Sequence, residues 1–342
     1  MIKTDISVFV IYTGGTIGMM KNEQTGALEP FNFEHLYKHI PVLERYPFNI
    51  DFHSFDPLID SSDMNPDFWK ELAAIIEEKY ELYDGFVVLH GTDTMSYTAS
   101  VLSFMLDNLN KPVILTGSQL PLGMLRTDGR ENFITAIEIA AAQNDNTPIV
   151  PEVCIYFENK LFRGNRTTKF SSENFNAFFS GNYPKLAEVG IDVKYNFNYI
   201  RKPNFKKLKV SYNLDNNIAL LKLFPGISRQ AVHSILNIEG LKGVVLETFG
   251  SGNAPSVSWF ISELKAAIDR GVIIYNVSQC KAGSVDLAKY KAGLQLDQIG
   301  VISGYDITTE SAITKMMYLF GKETNLTEIK TLLAKPLQGE IG

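Results

Sequence analysis

Short unbroken apolar runs alternate along the chain with longer stretches in which apolar residues return every three or four positions. Ser7 to Tyr12 is the first such run; having no polar face, it predicts a strand buried on both sides, leading into the tight loop Thr13-Gly14-Gly15-Thr16. Phe68, Leu72, Ile75 and Ile76 then recur at helical spacing toward Tyr80, and Pro66 at a first helical position after Asp63 and Asn65 marks the start of that helix. Phe86 to Leu89 predicts a second buried strand, running into His90-Gly91-Thr92-Asp93-Thr94 and a helical segment from Met95 to Leu109. Pro112 to Thr116 and Val153 to Phe157 repeat the pattern around an Ala-rich helix from Ile134 to Ala142. Strand, loop and helix in succession imply a parallel sheet.

From about Asp192 to Asn217 the alternation gives way to Tyr, Asn, Lys and a Pro, so residues 192–217 are expected to connect two domains, 1–191 and 218–342. Beyond them, Ile218 to Leu223, Val244 to Leu246, Val272 to Val277 and Ile299 to Ile302 predict strands, with helices after Ser228, after Val257 and from Thr309 to Phe320. The fold class is therefore α/β, with a larger N-terminal domain of mostly parallel sheet and a smaller C-terminal α/β domain. A length of 342 residues agrees, since single cores stop growing at roughly 250–300 residues.

Composition narrows the function classes. Charged residues make up 20% of the chain and the formal net charge is −6, which argues against nucleic acid as a partner because phosphate-backbone binding needs clustered Lys and Arg. No run has the length of a membrane span, and no signal-like segment stands before the first strand. Cys154 and Cys280, far apart in apolar stretches, exclude a disulfide framework. The five histidines show no zinc-ligand spacing, so neither a metal nor another cofactor is expected.

In open parallel sheets, ligands sit beyond the carboxyl ends of strands, and two such loops here carry threonines flanked by glycine. A threonine hydroxyl is a weak nucleophile that needs a base or a polarising charge nearby. Asp93 and a distant lysine are the available groups. Taken alone, Gly-Gly-Thr after a strand reads more plainly as a tight turn with a capping threonine, and Asp60-Ser61-Ser62-Asp63 as a cap for the Pro66 helix.

Read together, the segments are more specific. Tyr12-Thr13-Gly14-Gly15-Thr16-Ile17-Gly18 and Leu89-His90-Gly91-Thr92-Asp93-Thr94-Met95 resemble the two signature segments of bacterial asparaginases, in order and at their usual separation. The similarity continues through Ile59 to Met64, Leu115 to Gln119, Arg163 to Lys169 and Gly250 to Pro255. The start of the chain and the Arg163-Gly164-Asn165-Arg166 segment are more similar to the cytoplasmic type I enzymes than to the secreted type II ones.

This resemblance implies hydrolysis of L-asparagine in the cytoplasm, with Thr16 as nucleophile and Thr92, Asp93 and Lys169 as a buried triad-like set. Lys169 can serve as a base only as the neutral amine. Asp93 would take the substrate ammonium, while Ser61, Ser62 and backbone N–H groups near Gly91 and Thr92 would take the carboxylate. Asn253 matches a position that completes the site of a neighbouring subunit, implying at least a dimer and, in this family, usually a tetramer.

Two departures stand out. Related enzymes place a tyrosine in the segment after the first threonine; here Met19 to Pro30 has none, with Ala27 or Leu28 near that position, although Gly18 and Gly26 would still allow a hinged lid. Cys280 matches a cysteine of the allosteric site of some type I enzymes, yet Glu247 stands where a basic residue would receive the effector, and a buried core cysteine is the plainer reading. Three readings stay open: an asparaginase, a glutaminase or amidotransferase-type amidase, and an amino-acid sensor without turnover.

Overall fold

The computed structural model describes residues 6–21, 28–30 and 40–342, which form two compact units. In the N-terminal unit, β1 (Ser7–Tyr12), β2 (Asn49–Ser54), β3 (Gly85–Leu89), β4 (Val113–Thr116) and β5 (Val153–Phe157) run parallel in the order β2-β1-β3-β4-β5. Three antiparallel strands extend the β5 side: β6 (Lys160–Arg163), β7 (Ala187–Val189) and β8 (Val193–Tyr195). Residues of β1 from Val8 onward and every residue of β3, β4 and β5 are buried, as expected of central parallel strands with both faces covered.

Three helices follow strands as the apolar spacing predicts. In α1 (Pro66–Lys79), Trp69, Leu72, Ala73 and Ile76 form one buried stripe, and the Asn65 side chain accepts the Asp67 N–H at 3.0 Å. Asn65 thus caps this helix, while Asp60 caps a separate 3-10 turn over Ser61–Asp63, accepting the Ser62 N–H at 2.9 Å. α2 (Met95–Met105) ends before Leu109 because Leu106–Asp107 turns into extended backbone paired with Lys209–Val210. α3 (Gly129–Ala141) begins earlier than its apolar spacing marks, since Asp128 turns toward the loop after β4.

Much of the expected connection 192–217 is built into the N-terminal unit. Val193–Tyr195 pairs with β7 as the edge of the large sheet, and that unit runs on through Val210. Tyr and Asn there break the long-range alternation, but three-residue strands need no more than local pairing.

The C-terminal unit holds a parallel sheet in the order β9-β10-β11-β12: β9 (Ile218–Lys222), β10 (Gly243–Thr248), β11 (Ile273–Ser278) and β12 (Ile302–Ser303). Its helices are α4 (Arg229–Leu236), α5 (Ser258–Asp269), α6 (Lys291–Gln298), α7 (Thr309–Lys322) and α8 (Leu326–Leu333). Ile299 to Val301, expected as strand, instead closes α6: Ile299 is its C-cap and Gly300 has φ +96°, the left-handed residue that stops a helix. Apolar side chains such as Leu221, Leu246, Phe260, Leu264 and Ile274 fill the core of this unit. Lys315 and Glu340 form a fully buried ion pair at 2.6 Å, with the Lys315 ammonium also donating to the carbonyls of Leu333 and Lys335.

Candidate active site

The strand order β2-β1-β3-β4-β5 reverses direction between β1 and β3. Loops leaving adjacent strands on either side of such a reversal diverge, which opens a crevice beyond their carboxyl ends. Thr16 follows β1 and Thr92 follows β3, so the topology brings to one crevice two segments far apart in sequence.

Backbone contacts lock the crevice walls together. The Thr13 N–H donates to the Leu89 carbonyl at 3.0 Å, and the Ile59 N–H donates to the Thr13 carbonyl at 2.8 Å. Gly15, at φ +89°, packs so closely that an added Cβ would lie 2.5 Å from the Gly91 Cα; a Cβ on Gly91 would in turn strike the Ser61 hydroxyl. A side chain at Gly15 is excluded by the backbone of the His90–Gly91 loop, and one at Gly91 by the side chain of Ser61.

Lys169, in a short extended pair with Phe178–Phe179, reaches the loop after β3. Its ammonium donates to Thr92 Oγ1 at 2.8 Å and to Asp93 Oδ1 at 2.6 Å. The three residues expected to act together therefore touch, but the set is not buried: the Asp93 side chain is 68% exposed and that of Lys169 17%. An acid meant to meet a substrate ammonium has to be open to the crevice.

The segment leading to Lys169 is held from beneath. Arg163, almost fully buried, pairs with Glu152 through Nε at 2.6 Å and Nη2 at 3.2 Å, and Glu152 also accepts the Arg201 N–H. Gly164–Arg166 then makes one 3-10 turn against α2, where an added Cβ on Gly164 would collide with Ala99.

Ser61 is buried beside Gly91, and its carbonyl accepts the Thr94 hydroxyl at 2.6 Å. Ser62 points elsewhere: its hydroxyl donates to Asp60 Oδ1 at 2.8 Å, committing its hydrogen to the local cap. Asn253 and Cys280 belong to the C-terminal unit, at the carboxyl edge of its own sheet. Asn253 closes a tight loop by exchanging backbone bonds with Phe249. Cys280 is exposed, which overturns its reading as a buried core cysteine, while Glu247 is buried and pairs with Lys222 at 3.0 Å and Thr309 at 2.6 Å.

Of the glycine-flanked segment after Thr16, Met19–Lys21 and Leu28–Pro30 pair antiparallel; Ala27 and Gly26 lie outside the described residues.

Two further residues shape the crevice; each lies inside a signature segment, but the sequence alone assigned neither a role. His90 is fully buried, and its Nδ1 lies 2.7 Å from the Gly91 carbonyl. That oxygen can only accept, so Nδ1 carries the hydrogen and Nε2 accepts from Thr98 Oγ1 at 2.9 Å. Thr98 accepts in turn from the Trp69 indole N–H at 2.9 Å. Burial lowers the His90 pKa to about 4, keeping the ring neutral. Tyr12, at the end of β1, donates its hydroxyl to the Gly15 carbonyl at 3.2 Å. Beyond their place in those segments, a polar side chain closing an otherwise apolar strand was the available signal for each.

Among the described residues, no group of three His, Cys, Asp or Glu side chains is placed to hold a metal ion, and no helix is long and apolar enough to cross a membrane.

The family model "Asparaginase, N-terminal" matches residues 7–201, and "Glutaminase/Asparaginase C-terminal domain" matches residues 217–333. L-asparaginase 1 of Escherichia coli (strain K12) is 43% identical over 340 residues, covering 98% of each chain. A 60 kDa lysophospholipase of Mus musculus is 42% identical over 359 residues, covering 98% of this chain and 62% of that longer one. The crystal structure of L-asparaginase I from Vibrio cholerae O1 biovar eltor superposes with a TM-score of 0.89 at 41% identity, covering 99% of this chain and 100% of that one.

Proposed function

Because the chain belongs to the asparaginase family, we propose that the crevice between β1 and β3 is the active site of an L-asparaginase with Thr16 as its nucleophile. The enzyme is an amidohydrolase that converts L-asparagine to L-aspartate and ammonia. The observation that carries the site assignment is the contact of the Lys169 ammonium with both Thr92 and Asp93 at the strand-order reversal.

In the proposed reaction, Thr16 Oγ1 adds to the side-chain amide carbon as its proton passes to a base. The tetrahedral oxyanion collapses, the C–N bond breaks, and nitrogen leaves as ammonia with the transferred proton. Water then adds to the Thr16 ester and the threonine oxygen leaves, releasing aspartate. Thr92 and Lys169 are the proposed proton path, with the Lys169 amino group 2.8 Å from Thr92 Oγ1.

Asp93 uses Oδ1 for Lys169, which leaves Oδ2 for the substrate ammonium. Ser61 and the Gly91 and Thr92 N–H groups serve the carboxylate and the oxyanion; the bond from Ser62 to Asp60 makes Ser62 the weaker candidate donor. Asn253 is proposed to complete the site of a second copy of this chain. Cys280 is proposed as part of an effector site; Glu247 is already engaged by Lys222 and Thr309, so the effector carboxylate would need another partner.

The test is ammonia release by the purified chain over a range of asparagine and glutamine concentrations, with Thr16→Ala and Thr92→Ala alongside. Both variants are expected to stay folded and lose turnover; full turnover in both would remove the mechanism. A glutamine kcat/KM equal to that for asparagine would make the enzyme an amidase of broader choice, since one methylene is worth only about 1–3 kcal/mol. A sigmoidal asparagine response that disappears in Cys280→Ala is the outcome expected of an effector site.

A further inference from the structure

We propose that Tyr12 is a positioning residue for Thr16, holding the peptide that precedes the nucleophile through its hydroxyl; the inference rests on Thr16 being that nucleophile. Tyr12 is the last residue of β1 and is fully buried. Its hydroxyl donates to the Gly15 carbonyl at 3.2 Å, and the same oxygen accepts the Gly18 N–H at 3.3 Å, closing the 3-10 turn Thr16–Gly18.

The consequence follows from peptide geometry. In a trans peptide the C=O and N–H point in opposite directions, so fixing the Gly15 carbonyl against a buried phenol turns the Thr16 N–H away from the core. That N–H has no acceptor among the described residues. It is free to face the oxyanion that forms when the adjacent hydroxyl attacks, and a donor fixed in advance needs no reorganisation at that moment.

A second contact sets the turn from the other end. An added Cβ on Gly18 would run into the Tyr12 ring, so the ring touches the turn directly and only glycine fits above it. Burial raises the Tyr12 pKa, and the phenol stays a donor across the working range. Tyr12 itself touches no substrate; it acts through the Gly15–Thr16 peptide.

Ring packing and hydrogen bonding are separated by Tyr12→Phe, which keeps the ring and removes the donor. We expect kcat for asparagine to fall about fivefold to tenfold, the scale of one lost neutral hydrogen bond, with KM changed less than about twofold. The thermal midpoint should fall by no more than about 4 °C, and aspartate affinity by calorimetry should match the parent. Gly18→Ala, which forces the turn off the ring, should lower kcat further while aspartate still binds.

A Tyr12→Phe enzyme with parental kcat overturns the proposal, as does a loss of kcat that only tracks a lowered thermal midpoint and weaker aspartate binding. Thr16→Ala separates the two levels. If that variant keeps turnover, the nucleophile assignment fails; if it is inactive while Tyr12→Phe equals the parent, the positioning role alone fails.

Discussion

The Lys169 ammonium has two acceptors, one neutral and one anionic, and their chemistry decides what each substitution does. Asp93 is open to solvent, so its ion pair with Lys169 contributes little to stability, and the pair's significance is for reactivity. Thr92, by contrast, has its hydroxyl oxygen held by Lys169 and its N–H facing away from the Gly91 carbonyl that His90 pins. Residues that share one proton act as a unit, and removing either member should lose most of what removing both loses. Thr92→Val and Lys169→Met are therefore each expected to reduce kcat by about 10³-fold or more, and the double variant by no more than a few-fold further. Ammonia release by the three proteins checks this; losses that multiply in the double variant would mean that the two side chains work in separate steps.

At the scale of elements, the strand β3 hands over to α2 through His90, and this junction links Trp69 of α1 and Thr98 of α2 to the Gly91 carbonyl. A neutral, fully bonded imidazole has a pH signature. Its folded pKa is about 4 and its ordinary value 6.5, so between these the unfolded chain binds a proton that the folded chain does not. Stability then rises with pH across that window: it is fully present above 6.5 and is lost as pH falls through about 4, by up to about 3 kcal/mol. Urea unfolding at pH 7 and pH 4.5 should show the loss, and His90→Gln should flatten this part of it. The same junction shows what the sequence could reveal. β1 and β5 were legible because burial of both faces leaves an unbroken apolar run, and α1 because burial of one face imposes a helical period. The motif threonines, Asp93 and Lys169 were legible through resemblance. Contacts such as Trp69 to Thr98 were not, because a side-chain bond between two helices leaves no spacing along the chain. Nor was the extension of the first unit through Val210, since the two-residue pairing of Lys209–Val210 with Leu106–Asp107 has no period to detect.

At the scale of the whole molecule, the question is whether one chain holds a complete site. The contact set around Thr92 comes from the N-terminal unit alone, whereas Asn253 sits in the C-terminal unit on a loop whose shape depends on Gly250 at φ +51° and Gly252 at φ +110°. If Asn253 serves the site of a second copy, a two-fold dimer places each Thr16 opposite the partner copy's own asparagine. Two inactive variants then repair each other. Thr16→Ala lacks a nucleophile but still offers Asn253; Asn253→Ala has the nucleophile but lacks the donor. Dissociated, mixed in equal amounts and allowed to reassociate, half of the dimers are mixed, and each has one intact site beside one doubly altered site. The mixture should recover about a quarter of parental activity, although neither variant alone exceeds a small residue. Recovery should also depend on protein concentration, since the mixed dimer forms by association. If Asn253 instead acted within its own chain, both sites of every mixed dimer would remain defective and mixing would restore nothing, while a monomeric enzyme would give the average of the two variants at every concentration.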